Sequence, residues 1–162
     1  MSILESAIHM ELDGEKFYEQ QARLNSDSSV KKVCLLLAQE EKKHAQFLKN
    51  KQDKIAYKLI DTDKPTKDQS VFDHMGIIKS DIMATPTQLE FYKAALAIEQ
   101  RSIDLYTDLL SKAETEEEKT LFIFLVEQEK RHFSMIDEMV TLLRHTQEWV
   151  ESPEFGLRIE DY

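Results

Sequence analysis

Cysteine, glycine, proline and basic side chains are all scarce in this chain. Its 162 residues include one cysteine, Cys34, which excludes an internal disulfide and any multi-cysteine metal site. Three glycines and three prolines are too few for a turn-rich β fold and favour long helices with few connections. Lys and Arg number 21 against 31 Asp and Glu, a net charge of −10, so nucleic acid and anionic membrane surfaces are excluded as expected partners. No apolar run approaches the length of a bilayer span. The N-terminal stretch Met1 to Glu5 lacks the basic and apolar regions of a signal peptide. A soluble, cytoplasmic protein is expected, and a single cysteine suits a reducing compartment.

What the chain does contain is helical periodicity, in four stretches. The first opens at Ser2, where Ser2 and Glu5 form a capping box. Its apolar stripe runs Leu4, Ala7, Ile8, Glu11, Gly14, Glu15, Tyr18, and it breaks at Asn25-Ser26-Asp27-Ser28. The second stripe carries Val30, Val33, Cys34, Leu37, Glu41, His44 and Leu48, with Lys42 and Lys43 on the side expected to meet water. A short connection makes these two antiparallel neighbours. From about Tyr57 to Thr85 the helical signal weakens, with a loop near Pro65 and a short helix expected over Val71 to Lys79. At roughly 3.3 Å per residue this segment is long enough to cross a bundle roughly 40 Å tall. Thr85, Pro86 and Gln88 restart a helix. Its stripe is Leu89, Tyr92, Leu96, Glu99, Ser102, Ile103, Tyr106 and Leu110. Thr115 with Glu118 caps the fourth helix, whose stripe is Phe122, Leu125, Glu129, His132, Met135 or Ile136, Met139 and Leu143.

Two helical hairpins, about 2–57 and 85–149, thus predict an all-α, antiparallel four-helix bundle over 1–149 with a long crossover between helices 2 and 3. A tail, 150–162, should leave the bundle and dock through Trp149, Phe155 and Leu157.

The hairpins repeat one another. Glu41-Lys42-Lys43-His44 returns as Glu129-Lys130-Arg131-His132, an offset of 88 residues. Glu11 and Tyr18 return as Glu99 and Tyr106 at the same offset, and the helix start at Asp27 returns as Thr115. Residues three apart share a helix face, so each Glu-x-x-His aims a carboxylate and an imidazole at one point. Glu11, Glu41, Glu99 and Glu129 all interrupt apolar stripes, and burying four isolated carboxylates is prohibitive. Two divalent cations supply +4 against their −4, with both histidines neutral. One Glu from each of two helices plus Glu-x-x-His from each of the others is the ligand set of di-iron and di-manganese carboxylate bundles. Imidazole and carboxylate suit iron or manganese. Glu11, Glu41, His44, Glu99, Glu129 and His132 are therefore the expected metal ligands. Tyr18 and Tyr106, two turns beyond Glu11 and Glu99, are placed to hydrogen-bond carboxylates across the bundle, or else to serve as core aromatics.

Other residues read more plainly. Glu40, four before His44, competes with Glu41, but its counterpart is Gln128, and the repeat favours Glu41 with Glu129. Glu15, matched by Ile103, reads as a peripheral carboxylate. Cys34, Met135 and Met139 read as core, and His9, His74 and His145 as surface or packing residues.

On Glu11-x6-Tyr18, Glu41-x2-His44, Glu99-x6-Tyr106 and Glu129-x2-His132, the chain to about residue 149 resembles the rubrerythrin branch of the ferritin-like superfamily. The resemblance implies a non-haem di-iron site, two iron ions that reduce hydrogen peroxide or dioxygen, in a homodimer serving oxidative-stress defence. It departs from that pattern twice. Rubrerythrins with a C-terminal rubredoxin module use four cysteines to feed electrons in, whereas this sequence reaches Tyr162 without them, so a separate donor such as a rubredoxin is expected. Ser102, matched by Gly14, stands where those proteins have an extra glutamate that exchanges with a histidine. The resemblance therefore speaks more directly to the metal site than to the peroxidase cycle. Other readings of the same residues are a ferroxidase handling iron, a di-manganese catalase-like enzyme or one of mixed metal, and a bundle in which the metal is structural.

Overall fold

The computed structural model describes residues 2–60 and 86–150. Four helices carry nearly all of them: α1 (Ile3–Leu24), α2 (Ser28–Gln52), α3 (Pro86–Ser111) and α4 (Glu116–Val150), with no strand among the described residues. The helix starts form as their sequences dictate. Ser2 Oγ accepts from Glu5 N–H at 3.1 Å while Glu5 Oε2 accepts from Ser2 N–H at 2.6 Å. Asp27 Oδ1 accepts from the amides of Ser29 and Val30 at 2.8 and 3.2 Å. At α4, Thr115 Oγ1 and Glu118 Oε2 exchange the same reciprocal pair, and Glu118 Oε2 also takes the Glu114 amide. These amide donors hold the Glu118 carboxyl below its usual range. The expected start of α3 at Thr85, the helix over 71–79 and His74 lie outside the described residues, as does the tail expected over 150–162 apart from Val150, which ends α4.

Contacts between helices fix their directions. Tyr18 and Ala22 share one apolar cluster with Val30 and Cys34, while Ala7 and Ile8 share the other with Leu48, so α1 and α2 run antiparallel. Tyr18 bonds Glu99 and Tyr106 bonds Glu11, which sets α3 antiparallel to α1. Lys51 meets Glu117 at 3.4 Å, Phe47 meets Phe124 and His44 meets Glu129, which sets α4 antiparallel to α2. Helices α2 and α3 therefore point the same way. Gln52 and Pro86, where α2 ends and α3 begins, thus lie at opposite ends of the bundle.

The apolar core is in two parts. One cluster gathers Tyr18, Ala22, Val30, Val33, Cys34, Leu37, Phe91, Tyr92, Met135, Ile136 and Met139 at one end. The other gathers Ala7, Ile8, Leu48, Tyr106, Leu109, Leu121, Phe122 and Leu125 at the opposite end. Cys34, Met135 and Met139 are core residues as read, and burial pushes the Cys34 thiol up to about 12. His9 and His145 are exposed.

Helix α2 stops at Gln52, short of the weakening expected near Tyr57. Lys54 takes a left-handed φ of 56°, the Ile55 amide donates to Asn50 O at 2.8 Å, and the Lys54 amide donates to Lys51 O at 3.3 Å. This is a Schellman ending at a position usually held by glycine. The turned chain packs Tyr57 and Leu59 back on the second apolar cluster, with the Tyr57 ring 6.2 Å from that of Phe47. A left-handed non-glycine residue costs roughly 1–2 kcal/mol. Lys54→Gly is therefore expected to stabilise the fold by about 0.5–1 kcal/mol, read as a higher denaturation midpoint at unchanged slope.

Candidate metal centre

Between the two apolar clusters lies a polar layer. Glu11, Glu41, Glu99, Glu129, His44 and His132 meet there, each between 0 and 5% exposed. His44 Nδ1 sits 2.8 Å from Glu129 Oε1 and 3.5 Å from Glu11 Oε2. His132 Nδ1 sits 3.2 Å from Glu41 Oε1 and 3.5 Å from Glu99 Oε2. The two imidazoles stack at 5.5 Å with an interplanar angle of 17°. The structure thus brings together all six residues picked out by the repeat.

They fall into two overlapping groups of possible metal donors. One is Glu11, Glu41, His44 and Glu129, the other Glu41, Glu99, Glu129 and His132, with donor atoms in each within 4.8 Å of one another. Glu41 and Glu129 belong to both. Glu11 Oε2, Glu41 Oε1, Glu99 Oε2, both Glu129 oxygens, both His44 nitrogens and His132 Nδ1 are buried without a hydrogen-bond partner. Native interiors rarely leave so many polar atoms unsatisfied. Carboxylate oxygens and imidazole nitrogens converging in this way form a donor set for divalent transition metals, so the layer fits a bound metal ion.

Tyr18 and Tyr106 take the hydrogen-bonding role rather than that of plain core aromatics. Each hydroxyl donates to the carboxylate of the opposite hairpin, Tyr18 to Glu99 and Tyr106 to Glu11. Burial, reinforced by the neighbouring carboxylates, pushes both phenols well above their ordinary value, so they remain donors at neutral pH.

The remaining candidates are peripheral. Glu15 pairs with Lys42. Glu40 points beside the layer and takes Lys43 Nζ at 2.6 Å, so Glu41 is the inward member of the pair. Glu40 nevertheless groups with His44 and His132 as possible metal donors, a role its four-residue spacing to His44 hinted at and the repeat argument set aside. A Cβ on Gly14 would lie 3.4 Å from Glu41 Cγ and Oε2, so glycine here lets α1 lie close against that side chain. Ser102 Oγ donates to Ile98 O at 3.3 Å.

Without metal, the layer relieves its own repulsion by holding protons. Burial, with the charges of Glu129 and Glu11, raises Glu41 well above 4.5, and burial with Glu11 and Glu99 does the same to Glu129. Burial also pushes Glu11 up, but the neighbouring Glu41 carboxyl, the His44 imidazole and the Tyr106 hydroxyl outweigh it and hold Glu11 below 4.5. Burial opposes the charged form of His132, yet Glu99 and Glu129 raise it above 6.5.

Above pH 4.5 the folded, metal-free protein retains protons on Glu41 and Glu129 that the unfolded chain releases. Its stability therefore falls as pH rises through the two raised values. His132 acts in the same sense: its contribution is full below 6.5 and is lost as pH rises through its raised value. Glu11 acts in the opposite sense, contributing above 4.5 and losing that contribution as pH falls through its lowered value. Thermal melts in chelator are expected to show a falling midpoint from about pH 5 to about pH 8, and a divalent cation should flatten that slope while releasing protons. A midpoint that climbs with pH in chelator contradicts the assignment.

A family model described as Rubrerythrin matches residues 2–140. Comparison with curated proteins and with solved structures gave no match. Among the described residues no helix is long and apolar enough to cross a membrane. The matched span takes in the first hairpin, the second as far as residue 140, and all six residues of the polar layer, and the chain belongs to the rubrerythrin family.

Proposed function

We propose that this protein is a di-iron oxidoreductase that reduces hydrogen peroxide or dioxygen. The observation that carries the reading is the pair of four-residue donor groups sharing Glu41 and Glu129. Two cations side by side, with two carboxylates common to both, is the arrangement those groups suit. On this reading Glu41 and Glu129 would be shared between the two ions, Glu11 and His44 would complete the donors of one, and Glu99 and His132 those of the other. Manganese is the alternative occupant, since the same donors suit it.

Held by these six residues, a pair of iron ions would supply two one-electron changes, matching the two electrons needed to reduce peroxide to water. The chain supplies the frame. Tyr18 and Tyr106 fix Glu99 and Glu11 in orientation and keep hydroxyl protons beside the carboxylates. Bulky apolar residues above and below the layer keep bulk water away, which strengthens each electrostatic contact within it. Electrons would come from a separate donor such as a rubredoxin, and Cys34, buried in the core, takes no part in their transfer. A homodimer in the cytoplasm completes the proposal.

Anaerobically loaded protein is expected to bind two ferrous ions, and stopped-flow mixing with peroxide should oxidise them faster than mixing with air. If peroxide and air both leave the iron ferrous, the oxidoreductase reading is overturned. Glu129→Gln should cut the stoichiometry from two to one or fewer. It should also stabilise the metal-free protein at neutral pH by about 1–3 kcal/mol, because a buried acid is replaced by a neutral amide. Tyr18→Phe and Tyr106→Phe should each cost about 1–3 kcal/mol, by leaving a buried carboxylate oxygen without its donor.

A further inference from the structure

Glu40 stands just outside the polar layer, and neither the repeat nor the proposed bridging scheme uses it. One of its carboxylate oxygens and one ring nitrogen from each of His44 and His132 lie within 4.8 Å of one another. Neither ring nitrogen of His44 has a hydrogen-bond partner, although the residue is 1% exposed. Three donors of metal-binding type thus converge with no hydrogen bond from His44 to Glu40. That is the spacing of groups that face a common ion rather than each other.

The position differs from the inner groups in its access. The side chains of Glu11, Glu99 and Glu129 are 0% exposed and that of Glu41 is 3%, whereas that of Glu40 is 12%. Its partner Lys43, an ammonium at 2.6 Å, is 40% exposed. A cation already occupies one side of the Glu40 carboxylate, therefore, and it is held on a flexible stem that can swing into water. A metal ion arriving from solvent could take its place without any net change in the number of cations at Glu40. His44 and His132 belong to this outer group and also to the inner ones, so an ion held outside is already on two side chains of its destination.

We propose that Glu40, His44 and His132 form an outer, transient binding position for a divalent cation, through which the inner layer is filled, with Lys43 as the displaceable placeholder. The proposal rests on the reading of the inner six residues as a metal centre. Glu40 acts here as a receiving ligand and contributes nothing to holding the two resident ions.

The test is cobalt(II) uptake by the metal-free full-length chain, followed by stopped-flow absorbance without oxidant. Glu40→Gln should reach the wild-type final stoichiometry but fill at least about five-fold more slowly, because the anionic receiving group is gone. Lys43→Met should fill about two-fold faster or more, since no ammonium has to be displaced. Glu127→Gln, an exposed carboxylate on the same helix as His132, should fill at the wild-type rate. Glu40→Gln filling as fast as wild type, or no more slowly than Glu127→Gln, overturns the outer position while leaving the inner centre standing. Lys43→Met filling more slowly than wild type overturns it as well. A wild-type chain that takes up no cobalt at all overturns the inner centre and the outer position together.

Discussion

Four carboxylates enclosed at the midpoint of an apolar bundle are the constraint that the rest of this structure answers to. Glu11, Glu41 and Glu129 bring donor oxygens within 4.8 Å of one another, and so do Glu41, Glu99 and Glu129. At that distance each like-charged pair repels by about 3 kcal/mol even with an effective dielectric of about 20. Among the described residues no lysine or arginine forms an ion pair with Glu11, Glu41, Glu99 or Glu129. The charge can be offset in two ways, by protons or by metal cations. The raised values of Glu41 and Glu129 show the first way in operation, and the unpartnered oxygens and nitrogens show what the second has to use. The apolar clusters at either end hold the helices at the spacing that makes the repulsion unavoidable.

Much of this was legible because the two hairpins are phased alike. Asp27 and Thr115, one repeat apart, both cap their helices as their side chains predict, and the same offset carries Glu-x-x-His onto the inner face of α2 and α4. Periodicity alone placed Glu11 and Glu99 inside. It left Tyr18 and Tyr106 undecided, because helical spacing says which face a hydroxyl shares but not what faces it. That needs the direction of α3 against α1, a long-range fact that no local pattern contains. The end of α2 was missed for a different reason. Its reversal sits on Lys54, which bears none of the marks of a left-handed residue, so the sequence has no breaker there to read.

The repeat also explains why Glu40 was set aside. An argument from symmetry rewards residues that recur, and Glu40 does not, being matched by Gln128. Where the halves differ, however, the structure holds its less regular contacts. Glu15, matched by Ile103, forms an ion pair with Lys42, and Gly14, matched by Ser102, lets Glu41 lie close against α1. The shared residues define the central layer, and the unshared ones define its approaches.

The layer's place in the architecture gives it a further consequence. Backbones approach closely within each hairpin, α1 with α2 and α3 with α4, but far less between hairpins. Across that wider gap the described links are made largely by long side chains: Tyr18 to Glu99, Tyr106 to Glu11, His44 to Glu129, His132 to Glu41, and the ring pairs of Phe17 with Phe91 and Phe47 with Phe124. Each possible donor group draws from both hairpins, the first taking Glu129 from the second hairpin and the second taking Glu41 from the first. An ion in either position would therefore tie the two halves of the bundle together across the wider gap. Metal binding and the docking of the hairpins become one equilibrium, since the donors converge only when the halves are docked and the halves dock against charge repulsion unless the donors are neutralised.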